Sequence, residues 1–446
     1  MNNIIIMILT STILFIILLY FQPRKKQLKV LHEKSDEKPS PKPLVYKPKS
    51  EKDCPCCQAT HSQQTVTHQA PVPWSQVKGK GGRKKTIATE RYFCSNPACD
   101  YFGITDQHIH AIVGNGKRGK KDPIQYLKCN ACAKKYTSRK YTVLYRLKTP
   151  SEKVCNSLHF LALGVDVSAI EQAFKVREST IRTWLTRSGE HGRKLHDHFL
   201  KELQLEHIQL DELWADMRSG QHDVWVWTAC DAKTKLIPVI EIGPRIQAMA
   251  YWVVHQLKSR LRVGCVPPFS SDGLKHYFYA LTSHFGKWTS VEGKRKPIWT
   301  LLPDFFHGQV LKHRRRNRVV QVEQRLLYGE PKAYRSRLKA IGFTGRINTS
   351  FVERANLTIR QSVSKLTRRT WGLAHSVGEL REHLFWWLAY YHFARYHESL
   401  RIELNQPIQR KGRLTPIKYR SRTPAMAAGL TKRRWSVREL LSYPLM

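Results

Sequence analysis

Three close cysteine pairs, Cys54/Cys57 with Cys56 between them, Cys94/Cys99 and Cys129/Cys132, constrain this chain more than any other feature. Close pairs are metal-knuckle spacing in a reducing compartment, so zinc is expected before disulfides. FCSNPACDYFG and KCNACAKKY each put two thiolates on a tight turn beside an aromatic residue. A tetrahedral Zn2+ would clamp the two turns together through Cys94, Cys99, Cys129 and Cys132. Cys54 and Cys57 are then a spare pair, or they join Cys94/Cys99 in a different set of four. His108 and His110 could complete a second site or lie in an exposed loop. Cys155, Cys230 and Cys265 stand singly in apolar contexts and read as core.

The rest of the chain divides by pattern. Residues 4–21, IIIMILTSTILFIILLYF, are uncharged and followed by Arg24, Lys25 and Lys26, which suits a membrane helix with the remainder cytoplasmic. A mis-called start or dispensable extension over 1–23 is the competing reading. Residues 24–52 form a Lys/Pro-rich linker, and 53–148 are loops and short strands held by metal. Helical periodicity marks 149–200, with short segments AIEQAFKV and STIRTWLTRS joined only by Arg177 and Glu178, a helix-turn-helix pattern. From 207 the period changes to two. HIQLDELW, VWVWTAC and LIPVIEI predict three antiparallel strands, then a helix AMAYWVVHQLKSRL and a short strand ending in SSDG. Residues 201–400 are expected to form a mixed sheet covered by helices, and 401–446 a basic extension. Leu380, Leu384, Trp387, Leu388 and Tyr391 make a core stripe on a late helix.

Charge indicates the partner. The chain of 446 residues carries 76 Lys plus Arg against 34 Asp plus Glu, a net +42, while 41% hydrophobic residues supply a core. That excludes a disordered basic tail and points to a polyanion. Ser179, Thr180, Arg182, Thr183 and Arg187 on the last helix of the helix-turn-helix can reach base edges and phosphates. The run Lys312, His313, Arg314, Arg315 and Arg316 adds a phosphate-binding surface.

Three carboxylates carry the chemistry. Asp211 lies in a strand, Asp272 follows a later strand, and Glu353 opens a helix, FVERANLTIRQ. Meeting at one sheet edge, they could hold two divalent cations, Mg2+ or Mn2+, as in-line attack on a phosphodiester requires. Each has a plainer role: an ordinary strand carboxylate, a turn with Gly273, and a capping box with Ser350. Asn356 and Arg360 share the helical face of Glu353 and would face DNA beside the metals.

The order of cysteine pairs, helix-turn-helix, LDELW, SSDGLKHY and FVERANLTIRQ over residues 53–440 resembles the DDE transposases of bacterial insertion sequences, closest to the insertion-sequence-one group. YYHFARYHESLR looks like a short terminal motif of such enzymes. The resemblance implies an α/β multidomain protein: zinc ribbon, helix-turn-helix and RNase H-like catalytic domain. It implies two Mg2+ ions, Asp211, Asp272 and Glu353 as the acidic triad, Arg360 as its basic companion, and cleavage and strand transfer at terminal inverted repeats. Target DNA is the second substrate, and the protein is expected to act as a homodimer or higher oligomer on the nucleoid. A zinc-dependent DNA-binding regulator, free or tethered to the membrane, or an inactive transposase remnant is the alternative reading.

Overall fold

The protein is seen in a computed structural model that describes residues 71–77 and 87–446, apart from 121, 219, 221–223, 294, 317, 369–371, 410–411 and 413–414. Cys54, Cys57 and the apolar run at 4–21 lie outside the described residues. Among the described residues no helix is long and apolar enough to cross a membrane.

The cysteine region is a three-stranded antiparallel sheet, β1 (Ile112–Arg118), β2 (Ile124–Cys129) and β3 (Lys135–Thr137). Its core is small: Cys94, Cys99 and Cys129 pack with Tyr101, Ile112 and Leu127. His110 is fully buried there. Its Nδ1 accepts from Ile112 N at 3.0 Å, so its Nε2 donates to Thr89 O at 2.9 Å. It is therefore neither an exposed loop residue nor a free ligand.

Helices α1 (Ser151–Ala162), α2 (Val167–Phe174) and α3 (Glu178–Phe199) follow. Asp166 caps α2, and Lys175 ends it at φ 50°. The third helix runs well past the STIRTWLTRS segment expected from sequence, because Gly189 and Gly192 are used for packing rather than as breaks.

The main sheet contains β4 (Ile208–Ala215), β5 (Val224–Asp231), β6 (Val239–Gly243) and, after α4 (Gln247–Arg260), β7 (Phe269–Ser271). Helix α5 (Lys275–His284) and the hairpin β8 (Gly286–Thr289) and β9 (Ile298–Leu301) lead to β10 (His307–Arg315) and β11 (Arg318–Tyr328). The strand order is β11-β10-β7-β4-β5-β6. Strands β4, β5 and β6 pair antiparallel, β7 and β10 run parallel to β4, and β11 returns antiparallel. The sheet is therefore mixed, as the strand alternation and the intervening helix predict.

Alternation decides which helices cover each face. Ile208, Leu210 and Trp227 point to the α4–α5 side, with Val253, Leu257, Tyr277 and Leu281. Leu213, Ala215 and Val226 point to the other side, covered by α7 (Ser350–Ser362) and α8 (Val377–Phe393), which follow α6 (Pro331–Ala340). Helix α8 carries Leu384, Trp387, Leu388 and Tyr391 toward the sheet as the stripe predicts. Its opposite face is buried too: Trp386, Ala389, Tyr390 and Phe393 pack against α1 and α3. A helix apolar all round is buried all round.

After α8, β12 (His397–Ile408) and β13 (Ile417–Arg422) form an exposed hairpin. Helices α9 (Pro424–Ala427) and α10 (Val437–Ser442) return Ala425, Trp435, Leu440 and Leu441 to the core of α1 and α3. The end of the chain is thus structural, and residues 149–200 share their core with 380–394 and 425–441 instead of standing alone.

Candidate active site and metal centre

The main cleft forms where β7 stops. Strand β7 pairs with β4 only over Ile208–Leu210 and with β10 only over His307–Gln309. Beyond that point β4 and β10 continue apart, leaving a notch outside the carboxyl end of β7, the usual place for a ligand in a parallel array. This cleft, about 630 Å³, takes Asp211 and Glu212 from β4, Asp272 from the end of β7, Lys312 and Arg314 from β10, and Glu353, Asn356 and Arg360 from α7. All three carboxylates expected from sequence line it.

They are not equivalent. Ligand oxygens of Asp211, Glu212 and Asp272 lie within 4.8 Å of one another. Glu353 stands on the facing wall, where Lys312 Nζ reaches it at 2.5 Å and Thr349 Oγ1 donates to it at 2.5 Å. Thr349, not Ser350, precedes the helix, and Ser350 Oγ donates to Asn348, so the expected capping box is absent. Asp272 does make the predicted turn, its Oδ1 accepting from Leu274 N at 3.0 Å.

Glu212 was not anticipated. Successive strand residues face opposite sides, so Asp211 points toward α7 and Glu212 toward α5. At a strand edge left unpaired by β7, both can curl into the same notch. Each is fixed by its own side: Asn356 Nδ2 donates to Asp211 Oδ2 at 2.9 Å, and Tyr277 OH donates to Glu212 Oε2 at 3.0 Å while Arg245 pairs with its other oxygen. The Glu212 side chain is only 2% exposed. Its sequence signal is its place beside Asp211 and nothing more.

Burial, then the charges of Asp272 and Glu212, push the Asp211 carboxyl up to about 7. Burial also raises Glu212 and Asp272, although Arg245 opposes both shifts and Lys312 opposes that of Asp272. Crowded, half-desolvated carboxylates with raised proton affinity are oxygen donors short of positive charge. A hard divalent cation fits that donor set.

The residues expected to touch DNA divide into two kinds. Asn356 is 6% exposed and serves Asp211, and Arg360 donates to Trp214 O at 3.0 Å and Leu366 O at 3.3 Å. Arg182 is held by Glu379 at 2.5 Å and Arg187 donates to Tyr145 O at 2.8 Å, so both brace the fold. Ser179 and Thr183 lie on the exposed side of α3, Thr180 is partly buried, and Arg314, Arg315 and Arg316 are exposed at the tip of the β10–β11 ribbon.

The second centre is the cysteine cluster. Cys94, Cys99, Cys129 and Cys132 place their sulfurs within 4.8 Å of one another, with Cys94–Cys132 at 3.5 Å and Cys99–Cys129 at 3.9 Å. These spacings fit the edge of a tetrahedron with Zn–S near ~2.3 Å, about 3.8 Å. All four thiols are free. Burial raises the Cys94 thiol and takes Cys99 to about 11, whereas hydrogen bonds from Lys134 N and neighbouring side chains lower Cys132 to about 7 despite its burial. Three buried sulfurs and a partly exposed fourth, with no cationic partner among the described residues, suit a thiophilic dication, and this cluster could bind zinc. His108 is exposed and its backbone N donates to Asp106 at 2.7 Å.

The chain matches no protein-family model and no curated protein sequence.

Proposed function

We propose that the chain is a transposase of the insertion-sequence DDE type, which binds terminal inverted repeats and carries out divalent-metal-dependent DNA strand cleavage and transfer. The observation that carries this reading is the notch beyond β7, where Asp211, Asp272 and Glu353 line one cleft walled by Lys312, Arg314 and Arg360. An order β6-β5-β4-β7-β10, with the first three strands antiparallel and the last two parallel to β4, supports the RNase H-like fold that the resemblance implies. Helices α2 and α3, joined by three residues, support the helix-turn-helix.

Divalent ions bound there supply activation of water or a 3′-hydroxyl and stabilisation of the leaving oxygen. Asp211, Glu212 and Asp272 would hold them, with Glu353 joining once Lys312 turns to a phosphate. Asn356 orients Asp211, and Tyr277 and Arg245 orient Glu212, so the donor set is fixed before DNA arrives. Lys312 and Arg314 sit where they would neutralise the scissile strand. The cysteine cluster holds zinc and shapes the amino-terminal sheet.

The test is Mg2+-dependent nicking of DNA bearing the candidate terminal repeats, comparing wild type with Asp272→Asn beside a gel-shift control. Binding should persist while nicking falls at least ~10³-fold. Equal nicking by both removes Asp272 from the site. The alternative, a zinc-dependent DNA-binding regulator, draws support from the Lys312–Glu353 ion pair, and strong binding without nicking by either protein would favour it.

A further inference from the structure

Helix α7 separates two clefts of opposite character. Glu353, Asn356 and Arg360 face the acidic notch, while Phe351, Arg354 and Thr358, roughly half a turn round the helix, face a second cleft of about 320 Å³. Its other walls are Lys235, at the end of the β5 turn, and His397 and Ser399, from the YYHFARYHESLR motif that the acidic site does not use.

This second cleft gathers cations and donors without matching acceptors. Lys235 is 8% exposed and held at φ 60°, a conformation that a residue with a Cβ adopts at a cost. Its Nζ donates to Ala232 O and lies 3.4 Å from the centre of the Phe351 ring. An ammonium has three donors, so capacity remains. The nearby buried Asp231 favours the ammonium through its charge but makes no direct ion pair with it: its oxygens accept from Glu206 N, His207 N, Thr234 N and Thr234 Oγ1. The Arg354 guanidinium has no carboxylate partner among the described residues. His397 shares its Nδ1 with Ser399 Oγ at 3.0 Å, which leaves Nε2 for another group. The cleft's one carboxylate, Glu398, has a side chain 92% exposed and turns to Arg401 at 3.3 Å.

We infer that this cleft is an anion site for a tetrahedral phosphate group, with Arg354 and Lys235 supplying charge and His397 supplying a further hydrogen bond through Nε2. A guanidinium can grip two phosphate oxygens at once. Helix α7 is about 10 Å across, so a DNA backbone engaged in the acidic notch reaches the second cleft within about three nucleotides at ~3.4 Å of rise each. A backbone phosphodiester and free phosphate share this chemistry. The DNA source rests on the proposed function; the anion site does not.

The experiment uses the full chain, wild type and Arg354→Gln, with Lys235→Gln as a second variant. Arg354 is exposed, so its substitution leaves the core intact. Binding of a labelled terminal-repeat duplex is measured over roughly 50–300 mM salt, and inorganic phosphate is titrated by its 31P line width against chloride at matched ionic strength. Expected for Arg354→Gln is DNA binding about 5- to 10-fold weaker, a salt slope reduced by about one, and loss of the phosphate broadening seen with wild type. A changed slope assigns the site to DNA backbone. Phosphate broadening that depends on Arg354 without a slope change keeps the site and makes free phosphate its ligand. If wild type fails to bind DNA at all, the proposed function falls, and the phosphate titration still decides the site. An Arg354→Gln protein identical to wild type in both measurements overturns the inference.

Discussion

The Asn356 side chain donates a hydrogen bond to Asp211 at 2.9 Å, tying α7 to the central strand across 145 residues of sequence. Its Oδ1 is buried without a partner among the described residues, so the amide's work is to hold one carboxylate oxygen and leave the other for a ligand. Asn356→Ala should therefore weaken Mn2+ binding roughly 10-fold or more while leaving the fold in place. Titration of the Mn2+ EPR signal measures this. Unchanged affinity would make Asn356 a packing residue only.

Asp211 carries the opposite lesson about stability. Its folded pKa, about 7, lies above the ordinary carboxyl value, so without divalent cations the folded state binds more protons than the unfolded state between about pH 4 and 7. Its contribution to stability is present at low pH and lost as pH rises through 7. At pH 8 and without added divalent cations, Asp211→Asn should raise Tm by several degrees, on the order of 3–8 °C. Added Mn2+ should raise the Tm of wild type and leave the variant nearly unmoved. A variant less stable than wild type under both conditions would count against a charge-crowded cleft.

For the cysteine cluster the expected result is one zinc per chain lost on Cys132→Ser. Hydrogen exchange should then rise across residues 87–140 while the main sheet stays protected, because a core as small as that around Ile112 and Leu127 would depend on a metal clamp at these four sulfurs. Full zinc content in this variant would refute the assignment of these four sulfurs.

Much of the sheet could be read in the sequence because period-two alternation is local: HIQLDELW and VWVWTAC give both the strands and the faces that Leu210 and Leu213 occupy. The same rule hid Glu212. Alternation places neighbours on opposite sides, and only the early end of β7, a tertiary fact, lets both carboxylates enter one notch. Arg182 and Arg187 looked free for DNA because their partners, Glu379 and Tyr145 O, lie 197 and 42 residues away. The second buried face of α8 was missed for a similar reason, since the helices that cover it come from residues 151–199.

Gly192 illustrates such a distant constraint. A Cβ placed on it would lie 2.4 Å from Phe385 O, and one on Gly189 would lie 2.3 Å from Glu382 O. Helices α3 and α8 thus meet backbone to backbone, and carbonyls cannot step aside as flexible side chains can. Gly192→Ala should destabilise by about 2–4 kcal/mol and lower Tm by roughly 3–5 °C. Calorimetry of the variant tests this, and a shift under about 1 °C would show that the helices can separate freely.

Buried histidines set the acid limit. Burial lowers His191, His307 and His383 to about 4 and His207 and His392 to about 3. Each is neutral in the folded protein but takes a proton on unfolding below its ordinary value near 6.5. Depressed folded pKa values mean that the unfolded state binds more protons between about pH 4 and 6.5, so stability is present above that window and lost as pH falls through it. Each group contributes up to roughly 1.4 kcal/mol per pH unit, and together they outweigh the opposite slope of Asp211. Tm should therefore fall steeply from pH 6.5 to 4.5, followed by tryptophan fluorescence, since Trp386 and Trp387 lie in the cores that α8 joins. His383→Gln keeps a donor toward Leu161 O but cannot take up a proton in this range, so it should flatten the slope by about one proton's worth. An unchanged slope would mean that His383 is already protonated in the folded protein or stays neutral in both states.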